Sequence, residues 1–208
     1  TNSSVTIGPA VSGRENSRCD LSDVEARERV PGRPRRPGVS KAVLAATTDL
    51  VTAQGYAGTS IDEIARASGV AKTTIYRRWR SKGELAIDAL TAAMGQAPTD
   101  QASAEDALGS AISWMTRRIR QQEVRGLLLG LVAEATEDAE IRSQLRSHLR
   151  APFADRLTNE WGLSGREVDL AFDIVVGGLL HRFAMNGRVT KADSDAFTDV
   201  ATSVLFGG

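Results

Sequence analysis

Five basic side chains lie within the eleven residues that run from position 72 to position 82. They are Lys72, Arg77, Arg78, Arg80 and Lys82. Two threonines and a tyrosine stand between the first two of these cations. Guanidinium and ammonium groups bind phosphate oxygens, while threonine offers a methyl group and a hydroxyl to base edges. This mixture predicts a surface that holds a nucleic-acid backbone and reads bases.

The net charge of the whole chain is zero, but one part of it has a clear excess of positive charge. Residues 33–90 carry ten Lys and Arg against five Asp and Glu, giving +5. Residues 1–32 carry four against five, giving −1, and residues 91–208 carry twelve against sixteen, giving −4. Cations that neutralise phosphates release counterions, so clustering them favours DNA binding. We therefore expect the N-terminal third to bind a polyanion and the acidic remainder to do something else.

The basic cluster begins at a pattern typical of a helix-turn-helix. "SIDE" (60–63) is a capping box that opens a short helix, which ends at Ser68-Gly69, and a second helix is predicted from Lys72 to Trp79. Ile75 and Trp79 are four residues apart and should face the core together. The side chains left on the outward arc, which could enter a major groove, are Lys72, Thr73, Thr74, Tyr76 and Arg77.

Further candidates flank this helix. Thr59 and Ser60 at one helix start, and Lys82 beside the capping box "SKGE" (81–84) at another, could hold neighbouring phosphates. Lys41 on the preceding helix is a further candidate DNA contact. "PGRPRRPG" (31–38) could place Arg33, Arg35 and Arg36 in the minor groove as an extended arm, or could be a basic linker to a disordered tail.

Helical periodicity extends over almost all of the chain after Val39. The first helix should be capped by Ser40, bury Val43, Ala46, Leu50 and Ala53, and stop at Gly55. "GLLLGLV" (126–132) predicts a helix buried on all sides, Pro152 should kink or break the next one, and "SGRE" (164–167) is a third capping box.

No segment alternates with the period of a strand, so the predicted fold class is all-α. We expect an N-terminal three-helix helix-turn-helix domain and a larger helical C-terminal domain. The expected boundaries are a disordered, basic-ended tail at 1–37, the DNA-binding domain at 38–95 and the C-terminal domain at 96–208, with "GQAPTD" (95–100) as the linker.

The segment from Val43 to Leu90 closely resembles the N-terminal domain of the TetR family of bacterial transcriptional regulators. The motifs "QGYAGTSIDEIA", "ASGVAKTTIYRRW" and "SKGEL" carry the resemblance. It implies a homodimer that binds a palindromic operator, usually represses, and is released when a small molecule enters the C-terminal domain. Two positions depart from the family pattern, Ala71 where a capping Ser is frequent and Arg80 where Pro is common.

The resemblance also implies roles for individual residues. Base or phosphate contacts would come from Lys72, Thr73, Thr74 and Arg77, phosphate contacts from Tyr76 and Lys82, and a backbone contact from Thr59. The dimer would form through two apolar helices at about 165–186 and 192–206, where Gly177-Gly178 permits close backbone approach. A small-molecule effector would be enclosed by large apolar side chains of the C-terminal domain. The alternative is that these side chains only form the hydrophobic core. They are Trp114, Met115, Leu128, Val132, Phe153, Trp161, Phe172 and Val176.

Several function classes lack their usual residues in this sequence. The single Cys19 and the two histidines form no metal-spaced cluster, and no glycine-rich phosphate loop is present, so we expect no cofactor and no metal. The absence of a long apolar run predicts a cytoplasmic protein, and the resemblance implies a bacterial one. The alternatives to a ligand-released repressor are a regulator that binds DNA without any effector and, as a more distant possibility, a helical enzyme.

Overall fold

The computed structural model describes residues 37–98, 101–159 and 161–206. These ranges contain helices and no strand, which confirms the all-α fold. In chain order the helices are α1 (Pro37–Gly58), α2 (Ile61–Ser68), α3 (Lys72–Tyr76), α4 (Lys82–Met94), α5 (Ala104–Ile119), α6 (Gln122–Glu137), α7 (Ala139–Asn159), α8 (Gly165–Asn186) and α9 (Lys191–Phe206). The predicted tail and the arm residues Arg33, Arg35 and Arg36 lie outside the described residues.

A small hydrophobic core holds the first four helices together. Its buried members are Val43, Ile61, Ile64, Ile75, Trp79 and Leu85. The indole Nε1 of Trp79 donates to Asp88 Oδ2 at 2.7 Å, so the one polar atom of that ring has a partner. The predicted pairing of Ile75 and Trp79 on an inward face is confirmed, and it fixes which arc of α3 points to solvent.

A larger core joins α1 and α4 to the remaining helices. Val51 of α1 and Leu90 of α4 are buried with Leu127 and Leu131 of α6 and with Leu179 of α8. Two helices of the predicted DNA-binding domain therefore share a core with the C-terminal helices. The expected boundary at 95/96 coincides with the end of α4, where Gly95 has a positive φ of 67°, and it stays a prediction.

Helix α1 differs from its predicted form at both ends. It begins at Pro37, so Ser40 lies in its first turn and does not precede it. Gly55 leaves helical geometry at φ 80° and ψ 162°, as expected of a glycine stop, but helical turns resume through Gly58. Ala53 is exposed, and Val51 is buried in its place because α1 must face two cores.

The expectation that α6 is buried on all sides was wrong. Val124, Leu127, Leu128 and Leu131 are buried, whereas Leu129 and Val132 are each 39% exposed. Helices α1, α4, α5 and α7 pack on α6, and one side of its surface remains exposed to solvent. An apolar run gives no direction to a helix, so only the packing decides which of its residues meet solvent.

Pro152 was expected to kink or break its helix, but α7 continues through it without a break. A proline removes one backbone hydrogen bond, and the helix survives because buried residues on both sides of Pro152, among them Leu145 and Leu157, hold it against the core. In α8, the predicted capping box of Ser164 and Glu167 is confirmed. No helix in the described residues is long and apolar enough to cross a membrane.

Candidate nucleic-acid interface

Helix α2 begins and ends as the sequence predicts. The Ser60 hydroxyl accepts from the Glu63 amide at 3.3 Å, and the Glu63 carboxylate accepts from the Ser60 amide at 2.9 Å. Hydrogen bonds from Ser60 hold the pKa of Glu63 below its usual value, because they favour the ionised carboxylate. Gly69 adopts the left-handed conformation at φ 67°, and its amide donates to Ala65 O. The turn that separates α2 from α3 is therefore specified locally.

Helix α3 is shorter than predicted and ends at Tyr76 instead of Trp79. Ala71 precedes it without a side-chain cap, as its departure from the family pattern implied. The Trp79 amide still reaches Ile75 O at 3.0 Å, but the Arg78 amide also bonds Ile75 O, at 2.8 Å, in the tighter pattern of a helix end. The chain then straightens so that Ser81 can cap α4.

The outward arc of α3 presents five of the twelve predicted DNA contacts together. Lys72, Thr73, Tyr76 and Arg77 are exposed on one surface, and Thr74 is half-buried at its edge. Lys41 is exposed on α1. Hydroxyl, methyl, guanidinium and phenol groups are therefore available on a rod one helix wide, which is the size that a major groove admits.

Lys72 does not stand free on that surface. Its Nζ lies 2.7 Å from Asp62 Oδ1 of α2 and 5.9 Å from the centre of the Tyr76 ring. Hydrogen bonding to Asp62 raises the pKa of Lys72, so the ammonium stays charged. A phosphate would have to replace Asp62 as the partner of Lys72. The Arg77 guanidinium forms no ion pair within the described residues, so no such exchange is needed there.

The expected contact from the Thr59 side chain requires correction. Thr59 is only 3% exposed, its hydroxyl donates to Gly55 O at 2.9 Å, and its amide donates to Tyr56 O at 3.2 Å. Both of its donors are used to close the end of α1. Ser60 is exposed, but its hydroxyl and amide are engaged with Glu63.

Lys82 lies against α1, which the sequence did not indicate. Its Nζ donates to Tyr56 O at 3.0 Å and sits 4.1 Å from the centre of the Tyr56 ring. The Tyr56 hydroxyl donates in turn to the carboxylate of Glu134 on α6. Burial, together with this hydrogen bond, raises the pKa of Tyr56 above its usual value, so the phenol remains a donor.

This chain of contacts joins the start of α4 and the end of α1 to α6. A Cβ on Gly130 would lie 2.2 Å from Tyr56 Cβ, so α6 approaches α1 closely only because residue 130 is glycine. Sequence analysis missed Glu134 and Gly130 as functional candidates. The one available signal was a glycine within an apolar helical segment, which often marks a close helix contact.

The "SKGE" capping box is only half formed. Ser81 Oγ accepts from the Glu84 amide at 3.1 Å, but the Glu84 carboxylate accepts from the Arg80 amide at 2.6 Å instead of the Ser81 amide. The Arg78 guanidinium donates to Ser40 of α1 and is half-buried. Of the five clustered cations, Arg77 and Arg80 are thus the ones that face solvent without a side-chain partner in the described residues.

The predicted effector residues are only partly brought together. Met115, Phe153 and Phe172 line an apolar cavity of about 40 Å³ between α5, α7 and α8, and Arg150 stands at its edge. Trp161 and Phe153 line a smaller space of about 20 Å³ beside it. The Trp114 ring packs 5.7 Å from Phe153, and its Nε1 is buried with no hydrogen-bond partner among the described residues.

The other three predicted effector residues lie elsewhere. Leu128 is buried in the main core, Val176 is half-buried against it, and Val132 is exposed on the open arc of α6. Leu128 and Val132 lie on α6, which does not line the cavity and packs most extensively on α1. Val176 lies on α8 beside Val175, which does line the cavity. In the described ranges no three His, Cys, Asp or Glu side chains are grouped as metal ligands would be.

Comparison with known proteins agrees with this geometry. The sequence profile described as "Bacterial regulatory proteins, tetR family" matches residues 43–89, which span α1 to α4. The DNA-binding transcriptional repressor TetR of Mycobacteroides abscessus is 30% identical over 177 residues, covering 80% of this chain and 93% of that protein.

Solved structures share the fold. The TetR family transcription regulator SCO0332 superposes with a TM-score of 0.60 at 28% identity, covering 82% of this chain and 98% of the other. The regulator FadR of Bacillus subtilis, solved in complex with stearoyl-CoA, superposes with a TM-score of 0.56 at 18% identity, covering 79% of this chain and 98% of that one. These relatives are transcription regulators and not enzymes, so a helical enzyme is excluded. The chain belongs to the TetR family of bacterial regulatory proteins and is a DNA-binding transcriptional regulator.

Proposed function

We propose that the protein is a repressor that binds a palindromic operator as a homodimer and is released by a small-molecule effector. The observation that carries the DNA-binding part is the surface of α3, where Thr73, Tyr76 and Arg77 are exposed while Ile75 and Trp79 are buried. Burial of the inner pair fixes the orientation of the outer residues, which present groups suited to phosphates and base edges. We expect the protein to act in the bacterial cytoplasm, at the nucleoid.

A second copy of the chain is the expected partner of an apolar face on α8 and α9. Leu170 and Met185 of α8 are 52% and 68% exposed, and Val200 of α9 is 47% exposed. Gly177 lies on the same side of α8 as Leu170, is exposed, and would leave open space around an added Cβ. Gly178 serves a different contact, because its Cβ would strike the Phe197 ring of α9 at 2.2 Å.

The oligomeric state tests this interface. We expect wild-type protein to sediment as a dimer at micromolar concentration, and Met185→Glu to shift it to monomer while leaving the helix content unchanged, since Met185 packs little within the chain. Glu140→Lys, an exposed change on α7, is the matched control. A wild-type monomer at that concentration would contradict the homodimer.

Effector binding requires the cavity between α5, α7 and α8 to open. Its volume of about 40 Å³ holds a few water molecules, whereas ligand sites usually occupy about 300–1,000 Å³. The polar Nε1 of Trp114, next to the cavity, has no partner in the part of the chain that the structure describes, so opening could also supply it with one. The complex of FadR with stearoyl-CoA supports the view that this fold can take up a small molecule.

Release would follow from a change in spacing between the two reading surfaces. Half-sites one turn apart require recognition helices separated by about 34–36 Å. We propose that effector entry shifts α4, which bridges the two ends of the protomer, and moves the paired α3 helices away from that spacing. The ligand can shift the equilibrium only by its difference in affinity for the two states.

Selection of DNA sites from a random pool by the purified protein tests the proposal directly. A palindrome with half-sites about 10 base pairs apart is the expected result. An enriched sequence without two-fold symmetry would contradict the dimeric mode of binding. Thermal-shift screening of apolar compounds, followed by operator release, then tests the effector.

The alternative is a regulator that binds DNA without an effector. The small volume of the cavity is the observation that favours it. The two candidates differ in one measurement, because a compound that stabilises the protein and lowers operator affinity supports effector release. An operator complex that no stabilising compound weakens supports the constitutive regulator.

A further inference from the structure

A cleft away from both the reading surface and the apolar cavity is lined by cations. It lies where the turn between α5 and α6 meets the turn between α8 and α9, and its volume is about 450 Å³. We call it the cationic cleft, and its charged members are Arg120, Arg125, Arg188 and Lys191. Among the described residues no carboxylate lines it, although residues 91–208 carry four more acidic than basic side chains.

Three of these four cations have no acidic partner. Lys191 Nζ is paired with Asp195 at 2.7 Å. Within the described ranges, no carboxylate forms an ion pair with Arg120, Arg125 or Arg188. Guanidinium groups remain protonated at any physiological pH, so the cleft keeps a net positive charge of about three at neutral pH.

The fold holds one of the arginine side chains in place and sets the backbone position of a second. The Arg125 guanidinium lies 4.2 Å from the centre of the Phe183 ring and donates to Arg120 O at 3.3 Å. Arg188 follows Gly187, whose left-handed backbone at φ 69° turns the chain back at the end of α8. Prior placement of a guanidinium lowers the entropy lost when an anion binds.

The cleft continues into a second groove that is nearly neutral. Arg188 and Thr190 line both, and the second groove has a volume of about 500 Å³. There Arg182 Nε donates to Asp193 Oδ1 at 2.9 Å, so its charge is compensated. The excess charge is therefore concentrated in the cationic cleft and is not spread evenly over this end of the molecule.

The proposed dimer face leaves the cleft accessible. Phe183, which lines the cleft, lies two residues from both His181 and Met185, and two residues correspond to about 200° around a helix. His181 and Met185 are exposed on the face of α8 turned away from the core. A partner seated on that face would approach α8 from the side opposite the cleft.

We propose that the cationic cleft binds a small molecule carrying a pyrophosphate group. Planar guanidinium groups match phosphate oxygens with paired hydrogen bonds, and three uncompensated charges suit an anion with two adjacent phosphates better than a monoanion. The volume admits a ligand of nucleotide size. Free pyrophosphate and a nucleoside diphosphate share this chemistry.

Calorimetric titration with inorganic pyrophosphate at constant ionic strength tests the proposal. We expect one saturable site per chain, and a loss of affinity of about tenfold in each of Arg188→Gln and Arg120→Ala, since both side chains are exposed and each would lose a charged hydrogen bond. The matched control is Arg117→Ala, which removes the same charge from the last turn of α5 but does not line the cleft. It should stay within about twofold of wild type.

Parallel titrations identify the source of the ligand and the outcomes that reject it. If ADP binds as tightly as pyrophosphate, the cleft recognises the phosphates alone. If ADP binds more tightly, the cleft also contacts the nucleoside. Absence of a saturable site, an equal loss in Arg117→Ala, or unchanged affinity in both cleft variants would overturn the proposal. So would a random-sequence duplex that displaces pyrophosphate and loses affinity in the cleft variants, because the cleft would then be part of the DNA interface.

Discussion

The reading surface on α3 and the apolar cavity between α5, α7 and α8 differ in how far each is prepared for its ligand. The reading surface is already formed, with Tyr76 and Arg77 exposed over a buried Ile75. The cavity holds only about 40 Å³, and Phe153 and Phe172 are among the side chains that line it. Helix α3 needs no conformational change in order to enter a DNA groove. An effector site that opens when its ligand binds changes the positions of its helices, and that change can be passed to the rest of the protein.

The largest expected effect concerns the reading surface alone. Thr74→Ala combined with Arg77→Ala should lower affinity for the selected operator by about 100-fold, because each lost contact to a base is worth about 1–3 kcal/mol. Stability should change little, since Arg77 is exposed. Fluorescence anisotropy with the operator duplex measures the affinity, with Arg166→Ala, an exposed arginine of α8, as control. Retained operator affinity in the double variant would show that α3 is not the reading helix.

The next effect concerns the contact between α1 and α6, which joins the predicted DNA-binding domain to the C-terminal helices. Gly130→Val should lower the free energy of unfolding by about 1–3 kcal/mol, because its Cβ would overlap Tyr56 and force α6 away from α1. Gly126→Ala in the same helix is the control, as its Cβ would lie 3.5 Å from Val51 Cγ1 in ordinary contact. Urea denaturation measures both. Equal stability of the two variants would mean that α1 and α6 can separate at no cost.

A smaller effect is expected at the start of α2. Ser60→Ala removes the cap and should cost about 1 kcal/mol of stability, because the Glu63 amide loses its acceptor. Ser143→Ala, on the exposed side of α7, provides a comparison with the same chemical change. Chemical denaturation measures the free energy of unfolding of the two variants. A decrease no greater for Ser60→Ala than for Ser143→Ala would show that the capping box does not stabilise α2.

The smallest effect is a pH dependence at the start of α9. Hydrogen bonds from Arg182, then from the amide and hydroxyl of Thr190, lower the pKa of Asp193 to about 2 from its ordinary 3.8. The unfolded state therefore binds this proton first, so the stability that Asp193 contributes is complete above pH 3.8 and is lost as the pH falls towards 2.

The pH prediction is checked by urea denaturation of wild type and Asp193→Asn between pH 5 and pH 2.5. The wild-type free energy of unfolding should fall more steeply than that of the variant over this range, because the variant has no proton to take up at position 193. Asp199→Asn, an exposed change on the same helix, should behave like wild type. Parallel curves for wild type and Asp193→Asn would contradict the pairing with Arg182.

Predictions from the sequence succeeded where the controlling interactions are local. The capping boxes at Ser60 and Ser164 and the glycine turn at Gly69 each depend on residues within four positions of one another. The pairing of Ile75 with Trp79 depends on helical spacing alone. The failure at Val132 has the opposite origin, since its exposure depends on helices that come from other parts of the chain. The failure at Thr59 is local, because its hydroxyl and amide donate to Gly55 O and Tyr56 O at the end of α1.

The sequence by itself determined that the chain is helical, where its reading helix begins, and which side of that helix carries the cations, because these follow from caps, turns and a period of 3.6 residues. Only the tertiary structure decided that Lys82 would meet Tyr56 and that Tyr56 would meet Glu134, pairs that lie 26 and 78 positions apart. It also gathered Arg120, Arg125 and Arg188 around one cleft from two separate turns. Such contacts depend on how helices pack, and packing is a property of the whole chain that no local pattern encodes.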